Sequence, residues 1–322
     1  MKNRTSKLLL FLTVLISLMF TLGWLPEATP SNKIANSTGN QSNNPKELLA
    51  PKKIVFIAGA CSHGPGQHEH NAGCTLLASQ LNKQIPNLVQ ATVFQGWPSD
   101  STVLNDAAAI VLYMDGAEGH LALQHLQHLE TLMKKGVGLA CIHYAVEVPK
   151  DNGGPEFKRW IGGYFETFWS INPHWEAEYK SLPTHAVTRG VKPFTINDEW
   201  YYHMRFQDNM TGVTPILTAI PPASTLTKKD GARDNNEFVR KEEGRPQHMC
   251  WVTERPDKGR GFAFTGGHFH KNWGDENFRK LVLNGIAWTA RVEVPKNGVP
   301  APPLSDAEMI VNLDEKPCVI KK

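Results

Sequence analysis

Past residue 51 the chain alternates short unbroken apolar runs with longer stretches in which apolar residues recur every three or four positions. The first run, Ile54-Val55-Phe56-Ile57-Ala58, follows Lys52 and Lys53 and shows no polar alternation, so it predicts a strand buried on both faces. Residues 72–84 set Leu76, Leu77 and Leu81 on one helical face. Strands follow at 89–94 and 108–114. A helix at 121–135 carries Leu123, Leu126, Leu129, Leu132 and Met133, and a strand at 137–142 comes next. Strands alternating with helices predict a parallel sheet covered on both faces. The middle is less regular, with a short helix at 157–161, an alternating strand at 175–179, Phe194-Thr195-Ile196, and a strand at 213–219 stopped by Pro221-Pro222. The charged stretch 224–246 predicts an exposed loop. Strands at 248–252 and 262–265 and a helix at 277–290 close the folded part, and the Pro-rich residues 292–322 predict a surface tail.

The ends and the composition narrow the class. Lys2, Arg4 and Lys7 precede an almost wholly apolar run to Leu25, and Pro26 ends it. Residues 1–26 therefore read as a signal peptide or an uncleaved anchor, which predicts export, with release and tethering both open. Apart from that segment nothing predicts contact with a membrane. Residues 27–51, rich in Ser, Asn, Thr and Pro, read as a flexible linker. A net charge of +3 without a basic block gives no sign of a nucleic-acid partner. Five cysteines form no CxxC pair, and their odd number leaves at least one free thiol. Cys61, Cys141 and Cys250 lie in apolar runs and are expected to be small buried hydrophobes. A Cys61–Cys74 bridge is conceivable, without support in the sequence.

Three loops that follow strands carry histidines: His63, His68 and His70 after the first, His143 after the fourth, His268 and His270 after the last. Parallel strands bring such loops to one edge, and Asp198-Glu199 could join them. Cys141-x-His143-x-Ala145 has the outline of a nucleophile elbow with His in the nucleophile's place. Two chemistries suit this set. The imidazoles and a carboxylate can hold a divalent metal such as zinc, or His143 and Glu199 can act as general base and acid. No GxGxxG follows the first strand and no GxxxxGK[ST] occurs, so no nucleotide cofactor is expected. Cys141 is expected within the strand, which makes it a poor nucleophile.

The first strand with its His loop, Cys141-Ile142-His143-Tyr144-Ala145, Asp198-Glu199-x-Tyr201, and Gly259-Arg260-Gly261…Gly267-His268 before a last helix together resemble the ThuA-like (trehalose utilisation) family over residues 52–291. Cys141 stands where that family's G-x-H-x-A pattern has Gly. The resemblance implies a class I glutamine amidotransferase-like fold, a flavodoxin-like three-layer α/β sandwich with a mostly parallel sheet. His143 stands in the amidotransferase cysteine's place, so glutaminase activity is not expected. It also implies a small-molecule carbohydrate as partner, with disaccharides oxidised at the 3-position as the substrate class. The expected catalytic residues are His143, Glu199 and His268. His63, Tyr201, His270 and Trp273 are expected at the substrate. His68 and His70 are the candidate metal ligands, with His143 and His268 as further candidates. The rival reading is a non-catalytic sugar-binding or scaffold module.

Overall fold

The computed structural model describes residues 50–318. The expectations for residues 1–26, and those for 27–51 as far as residue 49, lie outside the described residues. Strand β1, Lys52–Ala58, begins the fold. It is followed by α1 (His70–Gln84), β2 (Val89–Gln95), β3 (Ala109–Tyr113), α2 (Leu126–Lys134), β4 (Gly138–Ile142) and α3 (Gly154–Ile161). Then come β5 (Gly163–Tyr164), β6 (His174–Tyr179), β7 (Phe194–Glu199), β8 (Arg205–Phe206) and β9 (Val213–Ala219). The described chain continues through α4 (Glu237–Arg240), β10 (Gln247–Glu254), β11 (Arg260–Phe264), α5 (Glu276–Thr289) and α6 (Asp306–Ile310).

Seven strands form one sheet in the order β2-β1-β3-β4-β11-β10-β9. The strands from β2 to β11 run parallel, and β10 is antiparallel to both its neighbours. The order 2-1-3-4 at the start is that of flavodoxin-like sheets. Alternate residues of the strands serve opposite layers. Ile54, Phe56 and Ala58 of β1 pack with α1, α5 and the β6–β7 hairpin. Val55 and Ile57 pack with α2 and α3. The result is the expected three-layer flavodoxin-like sandwich, and the unbroken apolar runs are explained by burial on both faces.

Two expectations about exposed segments need correction. The 224–246 stretch is not simply an exposed loop: Thr225, Asn235, Asn236 and Val239 are buried, and Asn236 caps α4. Nor are residues 292–318 a loose surface tail. Val292, Val294, Val299 and Ala301 join the core. The buried Arg279 donates Nη2 to the carbonyls of Ala301 and Pro302 at 3.0 and 2.6 Å. The segment ends on a Cys61–Cys318 disulfide. Cys61 is thus bridged rather than a free buried thiol, and Cys74, Cys141 and Cys250 are the free ones.

Candidate active site

The C-terminal ends of the parallel strands deliver the histidine loops to one edge of the sheet. His143 directly follows β4 in a left-handed conformation, φ 56°, which turns its ring back over the strand end and gives the elbow outline a structural basis. Its Nδ1–H donates to the Thr265 carbonyl at 2.8 Å, so Nε2 points inward. His68, also left-handed at φ 46°, donates Nδ1–H to Asp115 Oδ1 at 2.7 Å and likewise directs Nε2 inward. The two Nε2 atoms stand 3.1 Å apart. His268 Nδ1 lies 3.0 Å from His68 Nε2 and 3.0 Å from Glu199 Oε2. Glu199 Oε2 is in turn 3.3 Å from His143 Nε2. Three imidazole nitrogens and one carboxylate oxygen therefore converge, all within 4.8 Å of one another.

Partners behind each ligand atom fix this geometry. Asp198, fully buried, accepts from the backbone N–H groups of Glu199, Gly267 and His268 and from Asn272 Nδ2. It thereby joins the end of β7 to the loop after β11. Gly267 has φ +110°, a conformation that turns its N–H toward Asp198 and that an L side chain would strain. Asn172 Nδ2 donates to Glu199 Oε1 at 3.0 Å, and the half-exposed His174 lies 3.6 Å from the same oxygen. The Tyr201 hydroxyl is 3.2 Å from His143 Nε2 and 3.3 Å from Glu199 Oε2.

The electrostatics follow from burial and these partners. Burial pushes the His68 imidazole down to about 2, beyond what its bond to Asp115 restores, so His68 is neutral. Burial also pulls His143 down, but the bond and the charge of Glu199 outweigh it, and its pKa is raised. Burial alone would raise the Glu199 carboxyl. Bonds from His143, His174 and His268 reverse this and hold it well below the usual range, so it is ionised. Burial and the neighbouring Glu199 raise the Tyr201 hydroxyl, which is therefore a proton donor. Where two inward lone pairs and a carboxylate meet, either a proton on His143 or a cation balances the charge.

Among the expected residues, His143, Glu199, His268, Tyr201 and His68 come together. His63 stands at the mouth, its ring stacked on His68 at 3.6 Å and its side chain 40% exposed. Three expected assignments need correction. His70 is fully buried, its Nδ1–H donates to the Ala60 carbonyl, and its Nε2 faces Asp115 at 3.6 Å rather than the centre. His270 donates Nε2–H to the Met309 carbonyl at 2.8 Å and is buried beneath the C-terminal segment. Trp273 is a wholly buried core residue beside Phe278, with no face for a sugar. Trp160, Trp200 and Trp251 are likewise core pieces, which accounts for much of the Trp content.

His63, His68 and Asp115 also lie close enough to suggest a second cation site. The stacking of the two rings opposes it, because in-plane lone pairs of stacked imidazoles run side by side and do not converge. Sequence reading misses Asp115 and His174 as parts of the site. Asp115-Gly116 at the end of β3 is the available signal, since that strand end shares the edge with His143. Cys141 is fully buried and burial raises its thiol, so it is no nucleophile. Iodoacetamide should therefore label none of Cys74, Cys141 and Cys250 in the native protein, and mass spectrometry before and after denaturation checks this.

A family model described as trehalose utilisation, ThuA, matches residues 59–289. The chain belongs to the ThuA family. The match spans the whole sheet apart from β1, and it includes every residue of the histidine cluster. Among solved structures, a ThuA-like protein from Bacteroides uniformis superposes with a TM-score of 0.53 at 16% identity, covering 75% of this chain and 92% of that one. A ThuA-like protein from Parabacteroides merdae gives 0.49 at 17% identity, covering 82% and 100%. A GMP synthase protein from Thermoplasma acidophilum gives 0.41 at 11% identity, covering 75% and 95%. The first of these shows the shared fold. No curated protein matches the chain.

Proposed function

We propose that this ThuA-family chain is an enzyme of carbohydrate breakdown that moves a proton beside the carbonyl of a keto-sugar. His68, His143 and His268 would hold a divalent metal there. The observation that carries the reading is the convergence of three imidazole nitrogens on one point. For His68 and His143, the second ring nitrogen is tied to an acceptor that fixes the tautomer. A set of three imidazole ligands is one known from catalytic metal sites. A divalent cation held there would polarise the sugar's carbonyl oxygen. Glu199, whose carboxylate lies beside these nitrogens, would take the proton from the adjacent carbon, and the Tyr201 hydroxyl between Glu199 and His143 can return one. Isomerisation of the keto-sugar, or loss of the glycosidic partner, follows from the enolate.

The residues around the mouth support a polar substrate. His63, His174 and Asp115 are the partly exposed polar groups there, and Arg233 reaches over the Tyr144 ring while paired with the buried Glu147 at 2.6 Å. The disulfide between Cys61 and Cys318 supports export to an oxidising compartment. Among the described residues no helix is long and apolar enough to cross a membrane.

The test is incubation of the purified protein with 3-keto-disaccharides, with a chelator and after readdition of zinc or manganese. Turnover should vanish with the chelator and return with the metal. No turnover in any metal state would overturn the enzymatic reading and favour a binding module.

A further inference from the structure

We propose that Lys316, near the end of the chain, is a positioning residue that sets His68 in the site. The proposal rests on the histidine cluster being the metal centre. The loop from residue 62 to 69 has no regular structure of its own, and both His63 and His68 in it are left-handed. Such a loop needs outside partners to hold one conformation. One side is supplied by the loop after β11: His68 N–H donates to the His268 carbonyl at 3.0 Å, and His270 N–H to the Gly66 carbonyl at 2.9 Å.

The other side is supplied by the C-terminal segment. Lys316 Nζ donates to the Ser62 carbonyl at 2.7 Å and to the Gln67 carbonyl, at the two ends of the turn that precedes His68. It also pairs with Glu69 at 3.3 Å, and the two side chains are only 1% and 2% exposed. Glu69 then accepts from the Gly66 N–H with Oε1 and from the Asp314 N–H with Oε2, both at 2.9 Å. One ammonium thus gathers two carbonyls and a carboxylate of the loop, and the carboxylate returns a bond to the segment that carries the lysine. The disulfide at Cys318 anchors that segment two residues further on. Lys316 bonds to no side chain of the histidine cluster, so its effect passes through the loop backbone.

Removing Lys316 strands a buried carboxylate next to His68 and frees the turn. The experiment compares wild type with Lys316→Met and with the double variant Glu69→Gln/Lys316→Met, which leaves no stranded charge. Hydrogen exchange of the metal-free proteins is read over residues 62–70 and over β1 and β3, and zinc affinity is read by calorimetry. The expected result is faster exchange at Gly66, His68 and His70 in the variant, unchanged exchange in β1 and β3, and zinc binding weaker by about tenfold or more. If β1 and β3 also lose protection in the single variant, the double variant decides. Unchanged exchange over 62–70 in a folded variant overturns the proposal. Loop loosening in a protein that binds no zinc even as wild type would sustain the positioning role and sink the metal centre.

Discussion

With the proposed metal centre, His143→Ala is expected to fold and to fail to retain a stoichiometric divalent metal. The ring is wholly buried, and its Nε2 stands within 3.1–3.3 Å of His68, Tyr201 and Glu199. Loss of a ligand should weaken binding by more than the roughly 10–100-fold that loss of a partner behind a ligand costs. A metal held at about 100 times its dissociation constant stabilises a protein by about 2.7 kcal/mol. The wild type should therefore melt higher with added zinc, whereas the variant should not respond. Glu199→Gln separates the two roles. With its three imidazoles intact it should still bind metal, and it should lose about 10²–10⁴-fold in turnover, the usual range for removing a proton-transfer group. Metal analysis by mass spectrometry and keto-sugar kinetics check both, and a His143→Ala protein that still carries one metal per chain would remove His143 from the ligand set.

Asp198→Ala should cost more stability than any change at the mouth of the site. The carboxylate is fully buried and accepts four N–H donors, from Glu199 and His268 at 2.8 and 3.0 Å and from Gly267 and Asn272 at 2.9 Å. Alanine leaves these donors facing a void with no acceptor built for them. The expected loss is about 3–5 kcal/mol, from buried groups deprived of a charged partner. Urea unfolding followed by fluorescence measures it. The same variant should lose metal, because Asp198 sets both the Glu199 backbone and the loop that carries His268. An unchanged unfolding midpoint would show that the junction between β7 and the β11 loop is held some other way.

The parts of the fold that are legible in the sequence share one property, in that their signal is local. β1, β3 and β4 announce themselves through apolar runs that face two layers at once, and α1 and α5 through three-and-four spacing. The histidines of three loops are legible as a set, because parallel strands must bring those loops to a common edge. What is not legible depends on partners far away in the chain. Cys61 and Cys318 are separated by 257 residues, and nothing near either one marks the other. His270 and Trp273 look like site residues by position, since they follow His268 closely. They turn inward because the chain descends into α5, where Trp273 packs under Phe264 and Phe278. Asp115 reads only as the end of a strand, and its role becomes visible once His68 is placed beside it.

The order of synthesis gives the C-terminal segment a further consequence. Every strand of the sheet and every residue of the histidine cluster is made before Lys316 and Cys318. A chain interrupted after α6 would own a complete core and all of its candidate ligands, yet its first histidine loop would lack the cation that gathers it. Ordering of the His68 loop is thereby deferred until residues 314–318 have been made. A product shortened after α6 would then hold every candidate ligand on a folded sheet, with His68 on a loosened loop.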